Sequence, residues 1–308
     1  MFSVLFPGQG SQSVGMAREL YDNFDYVKKL FNEAEDALNL PIKKIIFDGP
    51  KELLNETENT QPAIFLVSYS IFNVIKNETS FDINKANFFA GHSLGEYTAL
   101  ALAEFVSYRD ALKIISVRGD SMQKAVENSN STMAAVLTSD LKQTIDAVEK
   151  LNNQGISINI SNFNDASQIV IGGLKDDIDY LKSNPIDLSA KRIIPLDVAG
   201  AFHTKFVSPA KQEVQNVVDK VEFSDGKFDV YMNVDAKIAE IKTIKQRLVD
   251  QIDNSVMFYD QILNIENIAK PEKWYHIGPG NVTAGMVKKS ISSESIEIIN
   301  SLDSLNNI

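Results

Sequence analysis

Five residues constrain this chain more than any others: Gly91-His92-Ser93-Leu94-Gly95, set between the apolar run Phe88-Phe89-Ala90 and the small-residue stretch from Glu96 to Ala103. A buried strand turning sharply into a helix that packs closely on a sheet is the setting that a G-x-S-x-G nucleophile elbow needs. The two glycines let the turn close without Cβ clashes. Ser93 Oγ then stands at a helix N-terminus, where free N–H groups and the helix dipole favour developing negative charge. On this reading Ser93 is the nucleophile and the Leu94 backbone N–H an oxyanion donor. The alternative is a plain glycine-rich turn, since five-residue patterns of this kind recur by chance.

The surrounding sequence supplies an α/β frame for the elbow. Phe2 to Phe6 is an apolar run stopped by Pro7-Gly8, a buried strand entering a tight loop, and Phe24 to Leu38 carries apolar residues at helical spacing. Thr60-Gln61-Pro62 reads as the start of another helix. The rhythm then changes. Strands at Thr132 to Leu137, Ile156 to Ile160, Gln168 to Ile171 and Arg192 to Leu196, with helices at Leu141 to Leu151 and Asp176 to Leu181, give the order βαββαβ of a ferredoxin-like unit. Alternation resumes with helices at Pro209 to Val221, Ile241 to Ile252, Phe258 to Ile268 and Val282 to Ser290 and a strand at Lys273 to Ile277. The expected organisation is a large α/β catalytic domain over 1–128 and 198–308, interrupted by a small subdomain over 129–197.

Composition narrows the chemistry. Among 308 residues there is no cysteine, which excludes disulfides, thiolate metal sites and a cysteine nucleophile and leaves Ser or Thr to carry any acyl group. A net charge of −11 has the wrong sign for a general nucleic-acid or anionic-membrane binder, so an acidic partner needs a local basic patch such as Lys288-Lys289 or Lys191-Arg192. The most apolar stretch, Ala63 to Ile75, is broken by Ser68, Ser70 and Asn73 and falls short of the roughly 18 to 20 apolar residues a membrane span requires. With no basic, apolar leader visible before Pro7-Gly8, a soluble cytoplasmic protein is expected.

A serine nucleophile needs a base, and there are three histidines. His92 adjoins Ser93 and, at a strand end, points to the opposite side, toward packing or a structural hydrogen bond. His276 sits at another strand end, and spacing alone does not dismiss it. His203, in the small-residue loop Gly200-Ala201-Phe202-His203-Thr204, is the better base, because a loop side chain can project into a cleft. Gln9, in Gly8-Gln9-Gly10 at the end of the first strand, can aim an amide donor at an oxyanion. Nucleotide binding by that loop is disfavoured, since Ser13 breaks G-x-G-x-x-G and Met16-Ala17 stands where a P-loop has Lys-Ser/Thr. Arg118 lies in the apolar helix Ala111 to Val126 and needs an anionic partner, either a substrate carboxylate or an internal acid, with Met122 one turn along the same face.

Phe6-Pro7-Gly8-Gln9-Gly10-Ser11-Gln12, Gly91-His92-Ser93-Leu94-Gly95-Glu96-Tyr97, Val117-Arg118-Gly119, Asn162-Phe163-Asn164, Gln168 to Gly173, Ala201-Phe202-His203 and Gly278-Pro279-Gly280 together resemble the malonyl-CoA:acyl carrier protein transacylases and the related acyltransferase domains of polyketide synthases. The resemblance spans nearly the whole chain. It implies a hydrolase-like α/β core with a mostly parallel sheet and an inserted ferredoxin-like subdomain. It also implies ping-pong transfer of malonyl from malonyl-CoA, through a malonyl-serine, to the phosphopantetheine thiol of acyl carrier protein, in the service of fatty-acid synthesis. Coenzyme A is then a product, and no cofactor and no metal are called for.

Carried over by residue, the resemblance makes Ser93 the nucleophile, His203 the base, Gln9 and Leu94 the oxyanion hole, and Arg118 the partner of the malonyl carboxylate. Met122 and Phe202 line the substrate pocket, and Phe202 favours malonyl over branched acyl groups. The family commonly orients its histidine through backbone carbonyls near a glutamine in the segment corresponding to Asn254-Ser255-Val256-Met257. That places Met257 in the orienting position here. Two rivals are an α/β serine hydrolase or thioesterase, whose triad acid would be Asp165, Asp187 or Asp197, and a binding subunit that holds ligand without turnover. An acyltransferase component of a polyketide pathway is a third reading.

Overall fold

Phe2–Phe6 (β1) is buried at all five positions, as an unbroken run should be at the centre of a parallel sheet covered on both faces. The computed structural model describes residues 1–291, 295–305 and 308. β1 pairs in parallel with Ala86–Gly91 (β2) on one side. Seven further strands are described: Ser131–Thr138 (β3), Ile158–Asp165 (β4), Gln168–Leu174 (β5), Ala190–Pro195 (β6), Asp229–Tyr231 (β7), Lys273–Ile277 (β8) and Ile296–Ile299 (β9). The large sheet runs β7-β2-β1-β8-β9, and every pairing in it is parallel. Sequence reasoning did not mark β7 or β9; these are the two shortest strands, three and four residues at the sheet's edges.

Strand alternation divides the core between the two faces. Val4, Phe6 and Phe89 pack with Phe65 and Phe72 of the helix Thr57–Glu78, while Leu5, Phe88 and Ala90 pack with Phe258 and Ile262 of the helix Phe258–Ala269. The first of these helices begins at Thr57, a turn earlier than Thr60-Gln61-Pro62 suggested. Tertiary contact extends it: Thr57 N–H donates to Gln123 Oε1 of the helix Tyr108–Glu127 at 3.3 Å, and Pro62 costs only the one bond its missing N–H would make to Glu58. The stretch Pro209 to Val221 is likewise split, into a 3₁₀ segment Lys205–Ala210 and a helix Lys211–Val218.

The other four strands form an antiparallel sheet in the order β4-β5-β3-β6, with its own core of Val136, Ile158, Ile169, Ile171 and Leu181. This is the ferredoxin-like arrangement expected from βαββαβ, so the fold class holds: a mostly parallel α/β core with a small antiparallel insert. Main chain ties β4 of the small sheet to the segment that leads into the helix Phe258–Ala269. Phe163 N–H donates to Val256 O, and Val256 N–H to Ser161 O, each at 2.9 Å. β1, β2 and β8 all end at the same edge, at Pro7, His92 and Gly278, and the insert roofs that edge, the place where open parallel sheets bind ligands. Among the described residues no helix is long and apolar enough to cross a membrane.

Candidate active site

Ser93 occupies the turn between β2 and the helix Leu94–Leu102 with φ 53° and ψ −107°, a left-handed conformation that costs a non-glycine residue about 1 to 3 kcal/mol. The flanking glycines make the turn possible. A Cβ on Gly91 would lie 1.9 Å from the Gly95 carbonyl carbon, and one on Gly95 would lie 2.3 Å from the Phe6 carbonyl oxygen. The strained backbone is tied down by Asn233, whose Oδ1 accepts from Ser93 N–H at 2.8 Å while its Nδ2 donates to Gly91 O at 2.7 Å.

His203 Nε2 sits 2.7 Å from Ser93 Oγ. The other ring nitrogen, Nδ1, donates to the Gln251 carbonyl oxygen at 2.8 Å, which fixes the tautomer with the Nε2 lone pair toward the serine. The orienting residue is therefore Gln251, not Met257. Met257 uses its own N–H to reach Asn233 O at 2.8 Å and contributes nothing to the imidazole. A backbone acceptor has no side-chain signature, and the carbonyl that meets the imidazole lies six residues before Met257, at the end of the helix Ile241–Asp250. Among the described residues no carboxylate completes a triad. Asp165 accepts from Ser167 N–H and Oγ–H, Asp187 from Tyr180 O–H, and Asp197 lines the cavity wall without a bond to His203.

Arg118 is 1 % exposed and has no ion pair among the described residues. Its Nη1 donates to Gln61 Oε1 at 2.6 Å and its Nη2 to Gln251 Oε1 at 2.8 Å and Ser93 Oγ at 3.0 Å, leaving Nε without a hydrogen-bond partner among the described residues. An internal salt bridge was the competing account of this residue, and the geometry rules it out. What remains is a buried cation held by neutral acceptors beside a serine hydroxyl, a ready seat for a carboxylate.

The oxyanion donors come out differently from the sequence reading at one of the two positions. Leu94 N–H, first in its helix, has no acceptor among the described residues. Gln9 lines the cavity, but its side-chain amide reaches Thr57 Oγ1 at 3.4 Å, while its backbone N–H has no acceptor among the described residues. Met122 and Phe202 both line the same cavity of about 370 Å³, with Ser93, Arg118 and His203, and the insert supplies Asn162, Asn164 and Val170. His92 and His276 are engaged elsewhere. His92 Nε2 meets Asn164 Oδ1 at 2.9 Å, and His276 Nδ1 meets Thr283 Oγ1 at 2.7 Å, both structural roles. Glu96, Gln61, Asn233 and Gln251 went unread; the available signal was a polar side chain inside a helix buried on every side, as Glu96 is in Leu94–Leu102.

Residues 4–292 match the family model described as the acyl transferase domain. The malonyl CoA-acyl carrier protein transacylase of Bacillus subtilis strain 168 is 36% identical over 288 residues, covering 92% of this chain and 89% of that one. This chain belongs to the malonyl-CoA:acyl carrier protein transacylase family. Solved structures agree. The acyl-carrier-protein-S-malonyltransferase from Bartonella henselae superposes with a TM-score of 0.92 at 30% identity, covering 99% of this chain and 97% of that one. A malonyl-transacylase in complex with its holo type II polyketide acyl-carrier protein gives 0.92 at 32%, covering 99% and 98%.

Electrostatics in this transacylase site follow from burial. His203 is held down to about 3, first by desolvation and then by the Arg118 charge, so it stands neutral and able to accept a proton. His92 is lowered by burial and His276 is lowered to about 4 for the same reason. Burial pushes the Glu96 carboxyl the other way, to about 8, so near neutrality the guanidinium is not matched by a fully ionised acid.

These shifts set a pH dependence of stability. Below 6.5 an unfolded chain protonates His203 and His276, which the fold keeps neutral, and the burial of His92 acts in the same direction, so the fold is destabilised as pH falls; Glu96, protonated in the fold and not in the unfolded chain down to 4.5, partly offsets this. From His203, His276 and Glu96 the net difference is about one proton, so roughly 1 kcal/mol of stability is expected to vanish between pH 6 and pH 5, with His92 adding in the same direction. Urea midpoints measured across that interval check it, and a flat or rising midpoint would contradict the neutral burial of the histidines. Among the described residues no group of three or more His, Asp or Glu side chains is arranged to hold a metal ion.

Proposed function

We infer that this chain transfers the malonyl group from malonyl-CoA to the phosphopantetheine thiol of acyl carrier protein, supplying fatty-acid synthesis, with Ser93 as the acyl carrier. The observation that supports this most is the buried, acid-free Arg118 guanidinium 3.0 Å from the nucleophile: a hydrolase or thioesterase of simple acyl groups has no use for it, whereas a diacid thioester does. His203 Nε2 takes the Ser93 proton as Oγ attacks the thioester carbonyl, and the Leu94 and Gln9 N–H groups receive the oxyanion. The C–S bond breaks and the imidazolium returns its proton to the leaving CoA sulfur. In the second half the carrier thiol gives its proton to His203, its sulfur attacks the malonyl-serine, and Ser93 leaves with the proton restored. Arg118 holds the far carboxylate throughout.

Every group in this sequence comes from the chain, so the reading calls for no cofactor; CoA enters as part of one substrate and leaves as product. The proposed catalytic unit is 1–128 with 198–308, of which 292–294 and 306–307 lie outside the described residues, and 129–197 is the small subdomain. Met122 and Phe202 bound the acyl pocket, and a cytoplasmic setting suits the substrates. For the acidic carrier, Lys288, Lys191 and Arg192 are exposed. Lys289 already faces the buried Asp165 at 3.8 Å, which leaves Lys288 the better docking lysine of that pair.

Intact-mass spectrometry after mixing with malonyl-CoA tests the reading. One malonyl group is expected on the protein, mapping to the peptide that contains Ser93, stable in buffer and discharged on adding holo acyl carrier protein. An adduct that hydrolyses within the mixing time would favour a hydrolase, and ligand binding with no adduct would favour a binding subunit.

A further inference from the structure

The transfer chemistry leaves one buried acid of the site without a task. Glu96, in the first turn of the helix that begins after Ser93, is fully buried and pairs with no cation among the described residues. Each of its two oxygens takes one donor. Oε2 accepts from the Asn233 backbone N–H, and Oε1 accepts from Gln251 Nε2 at 3.1 Å. Both donors belong to residues that hold the reacting groups. Asn233 fixes the Ser93 elbow, while Gln251 orients His203 through its backbone and meets Arg118 through its side chain.

The Gln251 amide has two chemically opposite ends, and its orientation decides what Arg118 meets. Its nitrogen end faces three oxygens: Ser93 O at 2.9 Å, Glu96 Oε1 at 3.1 Å and Asn233 Oδ1 at 3.2 Å. Its oxygen end accepts from Arg118 Nη2 at 2.8 Å. Turned over, the amide would set an NH₂ against the guanidinium, donor against donor, between two fully buried side chains. We propose that Glu96 is a positioning residue for acyl selection: ionised, it is a two-oxygen acceptor that, together with Ser93 O and Asn233 Oδ1, locks the Gln251 amide with its oxygen toward Arg118, and so holds the guanidinium where an acyl carboxylate meets it beside Ser93. The proposal rests on the malonyl-transfer reading and adds to it the element that sets the clamp.

Glu96→Gln is the discriminating change, because it keeps the volume and removes one acceptor. The Asn233 N–H belongs to the main chain and cannot turn away, so the oxygen of the substituted amide stays with it and the new NH₂ faces Gln251. The Gln251 nitrogen then meets a donor where it had an acceptor and is held by Ser93 O and Asn233 Oδ1 alone, so the amide shifts away from its new neighbour and Arg118 moves with it. Loading of the serine is measured with malonyl-CoA and with acetyl-CoA, the same kind of thioester without the far carboxylate, at about pH 9, where the wild-type Glu96 carboxyl is ionised. The ratio of the two kcat/KM values in E96Q is expected to fall about tenfold or more, the size of a lost hydrogen bond to a charged group, with the malonyl loss carried mainly by KM.

Glu96→Asp, which keeps two acceptor oxygens, is expected to retain the ratio even where overall activity drops. The ratio is internal to each preparation, so a smaller folded fraction cancels. Equal losses with both thioesters, or an unchanged ratio in E96Q, would overturn the proposal and reduce Glu96 to a structural residue. A wild-type protein that malonyl-CoA does not load at all would instead overturn the functional reading on which it stands.

Discussion

Changing His203 to alanine is expected to slow acyl-enzyme formation about a thousandfold while leaving the adduct, once formed, on Ser93. The imidazole is the one base in reach of the hydroxyl among the described residues, at 2.7 Å, and Arg118 on the same oxygen donates a hydrogen bond and cannot take the proton. Rapid-quench mass spectrometry with malonyl-CoA reads the rate directly. Ser93→Ala, in the same assay, gives no adduct. Restoration of the His203→Ala rate by added imidazole would show that proton transfer, and not the fold, was lost. A His203→Ala protein that loads within about threefold of wild type would remove the base assignment and reopen the question of how Ser93 is activated.

The elbow and the base were legible because each has a local cause. Gly91 and Gly95 are demanded by backbone contacts of 1.9 and 2.3 Å that no other residue tolerates, so the motif is a statement about sterics before it is one about chemistry. His203 was preferred among three histidines for its place in a small-residue loop, with His276 left open, and the other two turn out to bond Asn164 and Thr283. The insert was legible for a similar reason: alternating apolar residues in β3, β4 and β5 each bury one face of a single small core. By contrast, β7 rests on three residues and owes its existence to pairing with β2, information that lies outside its own sequence.

What the sequence could not disclose is the direction of hydrogen bonds. Gln251 carries three duties, holding His203 with its carbonyl, Arg118 with Oε1 and the Ser93 carbonyl with Nε2, yet it is one glutamine at the end of an amphipathic helix. Gln61 is one polar residue in a long buried helix, and it supplies the shortest bond to the guanidinium, at 2.6 Å. The same limit explains the Gln9 side chain, which the sequence offered to the oxyanion and the fold gives to Thr57. Polar residues on helices buried all round are the signal to weigh in such chains, since burial without a partner is too costly to be incidental.

Arg118→Ala carries the second large expectation. Removing one partner of a buried charge pair costs about 2 to 5 kcal/mol, so kcat/KM for malonyl loading should fall roughly 30- to 5,000-fold, whereas acetyl loading has no carboxylate to lose. The direction of the second effect separates a clamp from a structural arginine. The Arg118 charge is the second cause, after burial, that holds His203 low, so its removal lets the imidazole rise toward its ordinary value. Acetyl loading by the variant should therefore lose activity at a higher pH on the acid side than the wild type does, measured as kcat/KM across the acid limb. A bound malonyl carboxylate exerts the same influence in the wild type by offsetting the guanidinium, so the substrate that fits the clamp also strengthens the base that acts on it. An acid limb unmoved by Arg118→Ala would mean that the guanidinium and the imidazole do not sense one another, and the coupling between acyl choice and catalysis would have to be abandoned.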